Sequence, residues 1–164
     1  MHYFCADMHN GDKSILKQRP QFVTLGYHDE FMWNLLADVK ANDEVTFVGD
    51  CFVGAECPDI LRKFSFKKRL VVGNHDFERK LHYRDFDGIL DHIEGSWRWP
   101  RHPFLVSHFP VHEMALRQRL NIHGHLHEKI IPDTRYINVS MEAAGYRLVS
   151  HEEIIDGSYR TFRT

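Results

Sequence analysis

The chain has 164 residues, 43% of them hydrophobic and 27% charged, with a formal net charge of -2 at pH 7. That length favours one domain over 1-164 with enough apolar material for a real core. The charge balance excludes a molecule that is basic throughout, although it leaves room for a local basic patch.

In chain order, His2–Ala6 reads as a strand, followed by the polar run "DMHNGDK". Apolar residues at helical spacing predict a helix over Phe31–Lys40, with Asp29 as its N-cap. "VTFVGD" is a strand that stops at Gly49, and a helix around Glu56–Phe64 takes Pro58 in its first turn. "RLVVGNHD" and "FLVSHFP" are the next strands, and "VHEMALRQRL" is a short helix. "NIHGHLH" follows, "TRYINVSME" is extended, and the alternating tail "SYRTFRT" suits a late strand. Strand and helix alternate early, which argues for an α/β domain with a parallel start. The closer spacing of the later strands argues for a mixed or second sheet.

Cys5, Cys51 and Cys57 form no CxxC pair and no disulfide framework, which fits a reducing compartment. The N-terminal "MHYFCADMHN" lacks a basic segment ahead of a long apolar core. No apolar run approaches the roughly 20 residues that span a bilayer. The expectation is a soluble, cytoplasmic protein with no membrane partner.

Histidine is over-represented, with 13 residues scattered along the chain. Five strand-like runs end in polar, metal-binding residue types: Asp7 with His9, Asp50, Asn74 with His75, His108, and His125 with His127. In open α/β sheets ligands gather beyond the carboxyl ends of the strands, so five such ends would converge. Each motif alone has a plain alternative in turn chemistry or a surface histidine. The ordered set of five does not.

"DMH" at Asp7–His9, "GD" at Gly49–Asp50, "GNHD" at Gly73–Asp76, "SH" at Ser107–His108 and "GHLH" at Gly124–His127 together resemble the calcineurin-like metallophosphoesterase superfamily. The short length and the "INVSME" segment look like its small bacterial or phage members. The resemblance implies a four-layer αββα sandwich of two mixed β-sheets flanked by helices, with two divalent ions. One ion would take Asp7, His9 and His127, and the other Asn74, His108 and His125, with Asp50 bridging. His75 would give a proton to the leaving oxygen, with Asp76 orienting it. The activity implied is hydrolysis of phosphate esters by metal-bound hydroxide, with phosphodiesters preferred and phosphomonoesters the alternative. A non-catalytic scaffold of the same fold is a third possibility. The sequence departs from the protein phosphatases of the superfamily, reading "GDCFVG" and "GNHD" where they carry GDxxDRG and GNHE.

The donor chemistry agrees. Oxygen and imidazole ligands without cysteine suit manganese first, then iron, nickel, cobalt or zinc, better than calcium. Two such ions outweigh two carboxylates, so the site stays positive and attracts a phosphate ester, a nucleotide or nucleic acid among them. "RKFSFKKR" at Arg62–Arg69 and "WRWPRHP" at Trp97–Pro103 mix aromatics with positive charge. Their plainer reading is sheet and helix packing, with Phe64 and Phe66 inward and Arg98 and Arg101 exposed. Arg19, after the first metal loop, and Arg117, after His108, are weak candidates for phosphate contact, and nothing in the reading depends on them.

Overall fold

The structure is a computed structural model and describes residues 1–78, 80–100 and 102–162. Nine strands and five α-helices are formed among them: β1 His2–Cys5, α1 Leu25–Asn34, β2 Glu44–Phe47, α2 Cys57–Leu61, β3 Lys67–Val71, β4 His92–Glu94, β5 Ser96–Arg98, β6 Phe104–Ser107, α3 Glu113–Leu116, β7 Leu120–His123, β8 Tyr136–Asn138, α4 Met141–Ala144, β9 Val149–Ser150 and α5 His151–Asp156. They build two mixed sheets. The first runs β4-β3-β2-β1-β9 and the second β5-β6-β7-β8. In the first, β1 to β4 are parallel, with His2 opposite Glu44 and Glu44 opposite Lys67, and β9 is antiparallel. In the second, β6, β7 and β8 are parallel and β5 is antiparallel.

Alternation along the strands sorts the core into two layers. Cys5, Val45, Phe47 and Leu70 face Met32, Trp33 and Leu36, from α1 and its end, together with Leu61 of α2. Phe4, Val48 and Val71 turn the other way and meet Val106, Ile122 and Ile137 of the second sheet. These side chains are buried, and each contributes about 1.5–3 kcal/mol. The outer face of the second sheet is covered more thinly. The segment before α3 lies on it, with Val111 N–H donating to Asn121 Oδ1 at 2.8 Å and Tyr136 Oη donating to Val111 O at 2.8 Å. Among the described residues the helix that follows this segment, α3, is only four residues long.

The first helix differs from the sequence reading. It begins at Leu25, where Thr24 Oγ1 accepts Tyr27 N–H at 3.2 Å, and ends six residues before Lys40. Asp29 therefore lies inside the helix and accepts Gly11 N–H at 3.0 Å instead of capping. The tail forms no strand over its described residues. Tyr159 is buried there and donates to Asn138 O at 2.6 Å, while Arg163 and Thr164 lie outside the described residues. No helix among the described residues is long and apolar enough to cross a membrane.

Candidate metal centre

The sheets meet where their strands finish. Ala6 N–H donates to Val139 O at 2.9 Å and Met141 N–H to Ala6 O at 3.1 Å, joining the end of β1 to the end of β8. Asp7 N–H donates to Gly49 O and Gly124 N–H to His108 O, at 2.9 and 3.0 Å. Two glycines permit this closeness. A Cβ on Gly73 would strike the Asp50 carboxylate, and one on Gly124 would lie 2.6 Å from Asp7 Oδ2.

The backbone is strained at the same place. Seven non-glycine residues among those described have positive φ, and five of them are Asp7 (57°), His9 (54°), Asp50 (52°), His125 (69°) and His127 (52°). Each such residue costs of order 1–3 kcal/mol, and such strain gathers where side chains must be aimed.

Two groups of three result: Asp7, His9 and His127, and Asp50, His108 and His125. Within each group the candidate ligand atoms lie within 4.8 Å of one another, and His125 is the least buried of the six. The groups adjoin, since His125 N–H donates to Asp7 Oδ2 and His9 N–H to Asp50 O, both at 2.9 Å. Three of the four imidazoles have Nδ1 against an oxygen: Asp12 Oδ2 at 3.3 Å from His9, Val48 O at 2.9 Å from His108, and Glu142 Oε1 at 3.0 Å from His127. Such partners fix ring and tautomer and leave Nε2 for a cation.

The donor set fits a divalent cation. Asp7 Oδ1, His9 Nε2 and His108 Nε2 are buried without a hydrogen-bond partner. Leaving polar atoms in that state costs free energy unless something takes up their lone pairs. His108 Nε2 also lies 3.2 Å from Asp50 Oδ2, close enough for an ion pair. Burial opposes charge on both partners, and their attraction outweighs it. The His108 imidazole is pushed up to about 9, and the Asp50 carboxyl is held below its ordinary range. Burial also opposes charge on His127, where Glu142 reverses the effect and raises it. Burial and the neighbouring His108 lower His125. Glu142 is held at about 2 by His127 and Arg19 against its own burial.

His75 sits beside the second group. Its backbone N–H donates to Asp50 Oδ1 at 2.7 Å, and its Nε2 is 4.0 Å from Asp50 Oδ2. The residue that orients its ring is Glu78, with Oε2 2.6 Å from Nδ1, rather than Asp76. The Asp76 carboxylate is buried and accepts the backbone N–H groups of Asp50, Cys51, Phe52 and Gly73 at 2.8–3.1 Å, tying the ends of β2 and β3 together. Asn74 is exposed and has no hydrogen-bond partner among the described residues, although its neighbour His75 is fastened to Asp50.

Sequence reasoning missed Asp12, Glu78 and Glu142, which resemble ordinary surface acids. The spacing of Asp12 and Glu78, each three residues after a site histidine, was the available signal. Glu142 carries no such signal, being 15 residues from His127. Arg19 is no phosphate contact. It is fully buried and donates to Asp7 O, Met8 O and Glu142 Oε1 at 2.6, 3.2 and 2.8 Å, bracing the first loop from behind. Arg117 lies with Pro103 and Arg119 around a separate cavity. Lys68 and Arg69 of the basic stretch are buried and paired, Phe66 is buried, and Trp97 and Trp99 pack on the inter-sheet core. Arg101 lies outside the described residues. A cavity of about 530 Å³ opens onto His125 and His127, beside Glu128 and Lys129.

Fold and site together define an α/β protein of two mixed sheets with carboxylate–imidazole groups, suited to divalent cations, at its strand ends. No family model and no curated protein matches the chain. Among solved structures it is similar to a protein of unknown function from Aquifex aeolicus, with TM-score 0.73 and 24% identity over 95% of this chain and 98% of that one. It is also similar to nuclease MPE from Pseudomonas putida, with TM-score 0.52 and 22% identity over 77% of this chain. The match spans 60% of the nuclease's length. At these identities the likenesses establish the fold.

Proposed function

We infer that the protein is a metal-dependent phosphoesterase of a single domain, 1-164, that hydrolyses phosphodiesters in preference to monoesters. The observation that carries this reading is the pair of ligand groups assembled from distant segments around buried, unpartnered Asp7 Oδ1, His9 Nε2 and His108 Nε2. The similarity to a protein described as a nuclease supports a diester as the bond attacked. All three cysteines are free and buried, in keeping with a cytoplasmic setting.

In this reading Asp7, His9 and His127 hold one divalent ion, and His108, His125 and Asn74 hold the other, with Asp50 shared. Manganese suits the set first, and iron, nickel, cobalt and zinc are the alternatives. Bound ions would supply Lewis acidity and lower the pKa of water for attack on phosphorus. The chain's own residues do the rest. His75 presents Nε2 toward the Asp50 side because Glu78 occupies Nδ1, so its imidazolium can give a proton to the departing oxygen. Asp76 is a positioning residue that holds Asp50 and Gly73 in register. Arg19 and Glu142 stiffen the Asp7 and His127 side.

The test is turnover by metal-stripped protein reloaded with manganese, nickel or zinc. Faster hydrolysis of bis-p-nitrophenyl phosphate than of p-nitrophenyl phosphate is expected. The reverse order would make it a monoesterase, and no turnover with any ion would overturn the enzyme reading.

A further inference from the structure

Two features adjoin the ligand groups, and the proposed reaction uses neither. On the His9 side lies a cavity of about 690 Å³. Lys13, Lys17 and Lys80 line it around an apolar floor of Leu16 and Val53. None of these lysines has an ion-pair partner among the described residues. The carboxylate in the wall, Asp12, is already bonded to His9 and to Ser14. The cavity adjoins the site directly, since Asp12 Oδ2 is 3.3 Å from His9 Nδ1, and the His9 and His75 rings are 5.5 Å apart. Beside the second ligand group stands Phe109, 49% exposed, with its ring 4.4 Å from that of His125 and 5.0 Å from that of His108. Ser107 Oγ donates to Phe109 O at 2.7 Å and steadies that loop.

An exposed aromatic ring against two ligand histidines has no core to fill. Free cations around an apolar floor suit a ligand with repeated negative charge and flat apolar faces. A nucleic-acid strand has both, and it places phosphodiesters on either side of the one being cut. Resting on the phosphodiesterase reading, we propose that the substrate is a single nucleic-acid strand crossing the centre. One base stacks on Phe109, and neighbouring backbone phosphates lie against Lys13, Lys17 and Lys80. A small aryl diester reaches the centre and touches neither subsite fully.

The test compares the wild-type chain with the triple variant Lys13→Gln, Lys17→Gln, Lys80→Gln. Binding of a fluorescein-labelled single strand, as DNA and as RNA, is followed by anisotropy across a salt series. Manganese-loaded protein carrying His75→Ala is used so that the strand persists. The triple variant is expected to raise Kd by on the order of tenfold or more and to flatten the salt slope by about 2, since each single-strand phosphate contact contributes about 0.7. Phe109→Ala is expected to raise Kd by on the order of tenfold, with Phe109→Trp restoring it. With His75 intact, kcat/KM on the oligonucleotide should fall at least tenfold more in the triple variant than kcat/KM on bis-p-nitrophenyl phosphate. Binding of either polymer supports the proposal, and the tighter one identifies the sugar. Failure of both to bind, an unchanged Kd and slope, or equal losses on the two substrates would overturn it. Absence of turnover on any ester would defeat the phosphodiesterase reading instead, and the binding arm would still judge the subsites.

Discussion

Where β1, β2 and β3 begin, charges are paired. The Met1 ammonium meets Asp43 at 2.6 Å, Arg69 meets Glu44 and Glu94 at 3.2 and 2.9 Å, and His2 Nε2 meets Thr46 Oγ1 at 2.8 Å. Arg69 also stacks over Trp97 at 4.2 Å. Where the same strands finish, Asp7 and His9 keep buried atoms without hydrogen-bond partners, and Asp7, His9 and Asp50 adopt left-handed backbone conformations. One end of the sheet is built for stability. The other holds polar groups in an arrangement that is costly for the apo chain and that an ion would relieve. The contrast teaches that function at the strand ends rests on stability contributed elsewhere, so the two ends should respond to mutation in different measurements.

The largest expected effect is at the finishing end. Asp50→Ala removes the carboxylate proposed to be shared by both ions, so elemental analysis should show the metal content collapse and activity fall to background. His75→Ala should keep its metal and lose on the order of 10²–10⁴ in rate. Unchanged turnover would remove His75 from the reaction. Glu142→Gln should weaken metal affinity by about 10–100-fold through the freed His127 ring, as read by competition with a chelator. The starting end should behave oppositely. Arg69→Met should lower unfolding stability by about 2 kcal/mol in a denaturant titration and leave metal content untouched. A shift in metal affinity there would erase the distinction between the ends.

The last expected effect appears only in acid. Burial, helped by His151 and Arg69, lowers His2 from 6.5 to about 3. The unfolded chain binds this proton near 6.5 and the folded chain only near 3, so unfolding takes up a proton between those values. The stability that His2 contributes is therefore complete above about 6.5, declines as pH falls toward 3, and stops changing below that. His2→Gln should show a shallower decline across this window in pH-dependent melts. An identical decline would mean that other groups set the acid limb.

Much of the site was legible because each apolar run stops abruptly on a polar residue that a plain turn does not require. Asp7, His9, Asp50, His108, His125 and His127 were all read this way, and the structure brings all six together. The two-sheet α/β architecture followed from strand spacing in the same manner. What escaped depends on distant neighbours. Glu142 meets His127 only because β8 leads into α4 beside the end of β1. Asp76 adjoins His75 in sequence, which disguised its use by four backbone N–H groups of two strand ends. The start of α1 was misplaced because Thr24 caps it ahead of Asp29, and two competing caps are not distinguished by residue type alone. The six-residue α5 was missed because so short a helix barely shows its period, although Ser150 and Glu153 form a capping box there.

The central claim is that two divalent ions sit where the strands finish. Anomalous diffraction from manganese-soaked crystals tests it most directly. Two peaks are expected, one among Asp7, His9 and His127 and one among Asp50, His108 and His125. A map with no peak at those six residues, or with manganese bound only elsewhere, would contradict it.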